Sequence, residues 1–175
     1  MTYGRHFALG LVVALLVLVA DQATKAWVLY GIDLQSTGPL VLLPVLDLTM
    51  VGNRGVTFGL LTGFGDWVSR WSQLVLSALA LAVVAVLGRW LWRAHSRLAA
   101  IAIGAIGGGA VGNVIDRLRL GHVVDFIHAH IRLGGQEWSW YVFNVADAAI
   151  VCGVIALLLD GFLPREHLAS QAGRD

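Results

Sequence analysis

Four aspartates, Asp21, Asp116, Asp125 and Asp147, stand among almost wholly apolar neighbours. A charge at membrane depth costs roughly 2.5–3.5 kcal/mol on insertion scales, so each needs a partner or a job. Asp21 and Lys25 are four apart in the acid-first order that stacks them on one helix face, which reads as a neutralising ion pair. Asp116-Arg117 follows Gly112-Asn113 and reads as a network in which the guanidinium fork binds a carboxylate or backbone carbonyls. Asp125 and Asp147 differ. The nearest cations to Asp125 are Arg119 and Arg132, and the run from Phe143 to Ala149 holds none. Two carboxylates brought together in a partly dry site cannot both ionise, so one keeps a proton near neutral pH. Such a pair can hydrolyse an amide. The ionised acid takes a proton from water, the protonated acid polarises the carbonyl, and the proton later reaches the leaving nitrogen. A proton relay or a buried structural acid uses the same residues, and spacing alone leaves all three open.

Other chemistries fit less well. Neither Glu137 nor Glu166 is flanked as a His-Glu-x-x-His zinc protease requires. His122, His128 and His130 share one face of an alternating segment, but without a placed carboxylate they read as surface imidazoles, and no metal or cofactor is expected. Lys25, the only lysine, is occupied by Asp21, which leaves no Ser-Lys dyad. No Gly-x-Ser-x-Gly elbow occurs. The single Cys152 excludes an internal disulfide framework.

The elements that must position these acids are membrane helices. Of 175 residues 58% are apolar and only 13% charged, with a mean hydropathy of +0.76. A soluble domain is roughly 45–50% apolar and about 25% charged. The net charge of +1 gives no reason to expect nucleic acid. Crossing the hydrocarbon layer takes about 20 apolar residues, and four segments qualify: Phe7–Leu29, Trp71–Leu87, Leu98–Ile115 and Val142–Leu163. The first could pass for a secretory signal, since Arg5 precedes its apolar stretch. No small-x-small cleavage site follows, so it is expected to remain as an anchor. Gly104, Gly108 and Gly112 recur every four residues in the third and let helix backbones approach closely.

Arg89, Arg93 and Arg97 lie in the short connection between spans two and three, which marks a cytoplasmic side shared by both termini. The outer side then holds two longer connections, 30–70 and 118–141, with Trp67, Trp138, Trp140 and Tyr141 as an aromatic belt. Leu40–Val51 reads as a strand, with Asp47 between apolar neighbours. His122–Leu133 alternates, with the even-numbered residues on one face and Asp125 among the odd ones on the other. Gly134-Gly135 is a hairpin turn into Gln136–Tyr141. The expected fold is an all-α polytopic membrane protein of one domain, residues 1–175. Four transmembrane helices carry a small extracytoplasmic β-sheet and a short interfacial helix starting at Asp66-Trp67-Val68. The polar groups converge on the outer ends of the spans.

Five ordered blocks carry a resemblance: Asp21-Gln22-x-x-Lys25, Asn53-Arg54-Gly55-Val56-Thr57-Phe58-Gly59, Gly112-Asn113-Val114-Ile115-Asp116-Arg117, Val123-Val124-Asp125-Phe126 and Phe143-Asn144-Val145-Ala146-Asp147. In that order, across most of the chain, they resemble the bacterial lipoprotein signal peptidase (signal peptidase II) family. Val56 and Thr57 stand where the family commonly has Ala. The resemblance implies an intramembrane aspartic endopeptidase of the bacterial inner membrane that cuts a prolipoprotein before its diacylglyceryl-modified Cys. It implies Asp125 and Asp147 as the catalytic pair. Asp21, Lys25, Asn53, Arg54, Gly108, Asn113, Asp116, Arg117 and Asn144 then serve support and substrate binding, and the cyclic peptide globomycin is the implied inhibitor.

Two rival classes exist. A small transporter usually shows internal repeats and midplane charges, whereas here the halves share no motif and the charges gather at one face. A purely structural membrane protein has no need of two unpaired acids beside Asn144.

Overall fold

The computed structural model describes residues 5–54 and 65–162. Gly55 to Gly59 of the second block, Leu163 and Arg165 lie outside them. Among the described residues four helices are long and apolar enough to cross a membrane. In lipid every backbone group must bond within its own segment, and only a continuous helix does this for a single span. α1 covers Phe7–Ala26 and widens into a π-helical turn, Trp27–Gly31. A single turn, α2, occupies Leu34–Thr37. α3 spans Gly65–Trp92, α4 Arg97–Leu120 and α5 Val145–Phe162.

The spans fall where hydropathy put them, α3 and α4 running longer than expected and α5 beginning at Val145, three residues later than expected. α3 exceeds its expected 71–87 on both sides, and Asp66-Trp67-Val68 lies inside it as a continuous helix, not in a short helix of its own. α4 starts at a true cap, because Ser96 Oγ accepts from Ala99 N at 2.9 Å. It stops at Gly121, whose φ of 73° suits glycine at the residue after a helix.

α4 is the central helix. Two-thirds of its apolar stretch is buried, against 11–17% for the other three. Glycine makes that possible: a Cβ at Gly104 or Gly108 would run into the α1 backbone at Gly10 or Ala14, and one at Gly109 into Ala146 of α5. At one end of the bundle Leu87, Leu91, Ala94, Ala99, Ala100, Ile103 and Ile106 form a core with Phe7 and Leu157 against it. The start of α1 and the end of α5 therefore lie at the same end, beside the Arg-bearing α3–α4 connection.

The other end carries an antiparallel sheet in the order β1-β2-β3-β4. Its strands are Leu40–Leu43, Leu46–Asn53, Val123–Leu133 and Gln136–Ser139. The single strand expected over Leu40–Val51 is a hairpin instead, folded at Pro44-Val45 with Leu43 opposite Leu46. Gly134 and Gly135 turn β3 into β4 with φ of 59° and 80°, the positive pair that a tight hairpin demands.

β3 does not alternate regularly. Phe126 N and Ile127 N both donate to Phe143 O, at 3.1 and 2.8 Å. Two successive residues opposing one partner make a bulge. Both side chains accordingly pack against the core of Val28, Leu34, Leu48 and Val124. The slip moves His128 and His130 off the face of Val124 and Phe126, so the face assignment from strict alternation is corrected. The register with β2 slips between Leu48 and Val51, with Asp47 opposite His128 and Val51 opposite Asp125. Leu48 and Met50 both pack in that core, which leaves Asp47 and Val51 on the other face. Asp47, Asn53, Asp125, His128 and His130 thus share one face.

Candidate active site

Where α1, α4 and α5 meet, Lys25 is 2% exposed. Its three ammonium protons find three acceptors. These are Asp21 Oδ2 at 2.9 Å, Asp116 Oδ2 at 2.7 Å and Asn113 Oδ1 at 3.0 Å. The pair anticipated from the i, i+4 spacing is present and is part of a triad: Asp116 joins Lys25, not its neighbour Arg117. Gln22, which had no assigned role, stitches the triad together by donating to Asp21 Oδ2 at 3.2 Å, Asp116 Oδ1 at 3.0 Å and Gly112 O at 3.3 Å. Gly112 is needed beside it, since a Cβ there would strike the Asp21 carboxylate. Asp21 Oδ1 accepts from Ala146 N at 3.0 Å, setting a carboxylate against the first turn of α5, where free N–H groups favour negative charge. Asp116 Oδ2 accepts from Val124 N at 3.2 Å and so ties α4 to β3.

Asn144 caps α5. Its Oδ1 accepts from Asp147 N at 2.9 Å while its own N–H donates to Asp147 Oδ2 at 3.3 Å, a reciprocal capping box with aspartate in the third position. The amide Nδ2 of Asn144 turns the other way, donating to Asp125 Oδ1 at 2.7 Å and lying 3.2 Å from Asn113 Oδ1. Asn113 Nδ2 donates to Asp147 Oδ1 at 2.8 Å. Asp125 Oδ2 accepts from Asn53 Nδ2 at 2.9 Å. Both acids are thus held by amides; among the described residues neither is paired directly with a lysine or arginine, although the charges of Arg117 and Lys25 reach them. Asp125 is 1% exposed, and burial, with the Asp147 charge adding to it, pushes its carboxyl up from 3.8 to about 6 against the opposing bonds of Asn53 and Asn144.

Arg117 is half-buried, with Nη1 3.5 Å from Asn113 O and no hydrogen-bond partner for Nε among the described residues. It lines a cleft of about 550 Å³ with Arg54, Arg70, Gln73 and Leu120. A second cleft, about 410 Å³, shares Arg54 and Leu120 and adds Tyr30, Met50 and His122. Gln73 is 4% exposed and donates to Arg54 O. Sequence reasoning passed over it, although a lone glutamine in an otherwise apolar span is a legible sign of a buried hydrogen bond. Gly108 serves the α1–α4 approach, since a Cβ there would meet the Ala14 backbone.

The histidines on the same face of the sheet are not bare surface imidazoles. Asp47 Oδ2 lies 3.3 Å from His130 Nδ1 and 3.8 Å from His128 Nδ1.

Comparison with known proteins shows what the chain is similar to. A description of the family "Signal peptidase (SPase) II" matches residues 13–163. The "Lipoprotein signal peptidase" of Methylobacterium radiotolerans is 51% identical over 97% of this chain and 95% of its own. That of Methylorubrum extorquens is 49% identical over 94% and 91%. Two solved structures, each described as a bacterial membrane enzyme, share the fold at 23–24% identity. Their TM-scores are 0.74 and 0.71, over 94% and 95% of this chain and 99% and 98% of theirs.

Proposed function

The chain belongs to the signal peptidase II family, and from that premise we propose how its residues divide the work. It is a multi-pass membrane protease that cleaves signal peptides from lipoprotein precursors. Asp125 and Asp147 are the catalytic pair of a single domain, residues 1–175. The observation that carries this reading is the bridge of Asn144, whose side-chain and backbone N–H groups donate to Asp125 and Asp147, with no lysine or arginine among the described residues paired directly to either acid.

Asp125, the acid pushed up to about 6, holds the shared proton and donates it to the scissile carbonyl oxygen. Asp147, at the first turn of α5, is the base and takes a proton from water, which attacks the carbonyl carbon. As the C–N bond breaks, that proton passes to the leaving amine and the carbonyl hydroxyl returns its proton to Asp125. Asn53, Arg54 and Asn144 hold the substrate backbone extended, because a helical amide is closed to attack. Asp21, Lys25, Asn113, Asp116 and Arg117 position the helix ends that carry the acids, and Gly108 lets α1 and α4 meet. Four amide and backbone donors on the carboxylates help to accommodate the two acids side by side.

The substrate is a prolipoprotein with diacylglycerol on the Cys after the cleavage point. An apolar cleft of about 290 Å³ between α1, α3 and α4, lined by Leu11, Leu15, Leu18, Val84 and Gly107, suits an acyl chain. The positive loop at the opposite end of the bundle supports a bacterial inner-membrane protein with cytoplasmic termini. The sheet and the site then lie at the outer face, where the first turns of α3 meet the interface. Globomycin is expected to bind across the pair.

Incubation of the purified protein with a diacylglyceryl-modified prolipoprotein tests the assignment. Cleavage by the native chain, blocked by globomycin and absent from Asp125→Asn and Asp147→Asn, is the expected result. Turnover by either variant refutes the pair.

A further inference from the structure

We propose that Asp47, His128 and His130 form a binding site for a divalent transition-metal ion, zinc foremost, on the sheet face that also carries Asp125. The three are the only His, Cys, Asp or Glu group among the described residues whose ligand atoms all lie within 4.8 Å of one another. Both imidazoles aim Nδ1 at the same carboxylate oxygen, at 3.3 and 3.8 Å. In a tetrahedral zinc site with bonds near 2.1 Å, neighbouring ligand atoms are about 3.4 Å apart, so the set is close to ligand spacing without movement of the backbone. The backbone that sets it is rigid: Asp47 and His128 are direct cross-strand partners, and His130 follows His128 at the two-residue period of a strand.

Among the described residues Asp47 Oδ1 and His130 Nδ1 have no hydrogen-bond partner, His130 Nδ1 having only its 3.3 Å contact with the other Asp47 oxygen, and the His130 side chain is only 9% exposed. Buried polar atoms are nearly always satisfied, and a cation bound by His130 Nδ1 and by both oxygens of the Asp47 carboxylate satisfies both. Two imidazoles and one carboxylate are borderline ligands that suit zinc over calcium or magnesium. Three protein ligands leave a fourth position for water. The site lies three residues along β3 from Asp125, about 10 Å at strand spacing. The ion would clamp β2 to β3 and is not part of the amide chemistry.

The test is titration of the tag-free protein with zinc sulfate in competition with a fluorescent chelator. Cobalt(II) is substituted to read coordination from its visible absorption. The expected result is one ion per chain, a four-coordinate cobalt spectrum, and a melting temperature that rises with zinc and returns with chelator. Asp47→Asn and His130→Ala should each weaken binding at least tenfold, while His122→Ala, outside the cluster, leaves it unchanged. If either buried variant fails to accumulate, His128→Ala, at the more exposed imidazole, is read instead and should weaken binding similarly. No binding at equimolar zinc, or an affinity indifferent to the variants that fold, overturns the proposal.

Discussion

Asn144 donates to Asp125 Oδ1 at 2.7 Å through the same side chain whose oxygen accepts from the Asp147 backbone at 2.9 Å. One residue therefore caps α5 and fixes the position of an acid on β3. The consequence is mechanical: any movement of the α5 N-terminus relative to the sheet changes the spacing of the two carboxylates. Lys25 supports this from beneath by joining α1 and α4, and Asp21 reaches α5 at Ala146 N.

Replacing either acid of the pair should end catalysis without unfolding the protein. Asp125→Asn and Asp147→Asn keep side-chain volume but can neither take a proton from water nor share one. Acids that work as a unit are non-additive, so the double variant should be hardly slower than either single one. Single-turnover cleavage of a lipid-modified precursor, with substrate binding measured in parallel, checks this. Retained binding with lost cleavage is expected, and a double variant far worse than both singles would contradict a joint role.

The pH dependence follows from Asp125. Its pKa is raised to about 6, so the folded state holds a proton that the unfolded chain releases between roughly pH 4 and 6. Stability contributed by this group is greatest at the acid end and falls as pH rises through about 6. Asp125→Asn removes that dependence, and its melting temperature at pH 8 should exceed that of the native chain, by at most about 3 kcal/mol in stability. The same proton is needed for turnover, so kcat/KM should fall as pH rises through about 6, with an apparent pKa that belongs to the pair. A flat profile from pH 5 to 8 would show that Asp125 does not hold the proton.

The four spans were legible because a run of about twenty apolar residues has one stable form in lipid. Asp125 and Asp147 stood out because they lacked nearby cations, which is a local property of sequence. The pairing of Lys25 with Asp116 was hidden, since Asp116 has an arginine next to it and the lysine arrives from another helix. The face of His128 was misread for a similar reason. Alternation is broken by Phe143, whose carbonyl takes two consecutive β3 amides, and nothing within β3 announces it. The carboxylate missing from the histidine cluster was Asp47, supplied by strand pairing across a long connection. Contacts within one element could be read; contacts between elements required the fold.

Lys25→Ala should damage stability more than any single acid-to-amide change in the triad. It leaves Asp21 and Asp116 buried and facing each other without their shared cation, a loss of about 3–5 kcal/mol. Asp116→Asn keeps the Lys25–Asp21 pair and should fold with reduced stability and measurable activity. Thermal melts in detergent together with turnover per folded molecule separate the two. A Lys25→Ala protein of native stability but no turnover would place the lysine in the chemistry instead.

Orientation is tested with reporters. Fusions after Arg174 should read as cytoplasmic and insertions at Gly135 as external, given Arg89, Arg93 and Arg97 at the far end of the bundle from the sheet. Reporters that place the end of α5 and the α3–α4 connection on opposite sides would contradict the four-span arrangement.

Neighbouring glycines of α4 should respond in opposite ways to alanine. At Gly108 a Cβ would meet the Ala14 backbone, which cannot yield without moving α1 away from α4. Overpacking of this kind costs about 1–3 kcal/mol, and separating these helices also loosens the Lys25 triad that spans them. Gly108→Ala should therefore lower the melting temperature and reduce activity together. At Gly107 nothing lies within 4 Å of a Cβ, and the residue lines the apolar cleft. Gly107→Ala should be neutral or stabilising, because alanine is the better helix former by about 1 kcal/mol. Gly107→Leu fills the cleft instead, and should raise KM for the lipid-modified substrate while leaving stability near native. Equal losses of stability at both positions would show that α4 packs on a face other than the one seen here, and an unchanged KM in Gly107→Leu would remove the cleft from substrate binding.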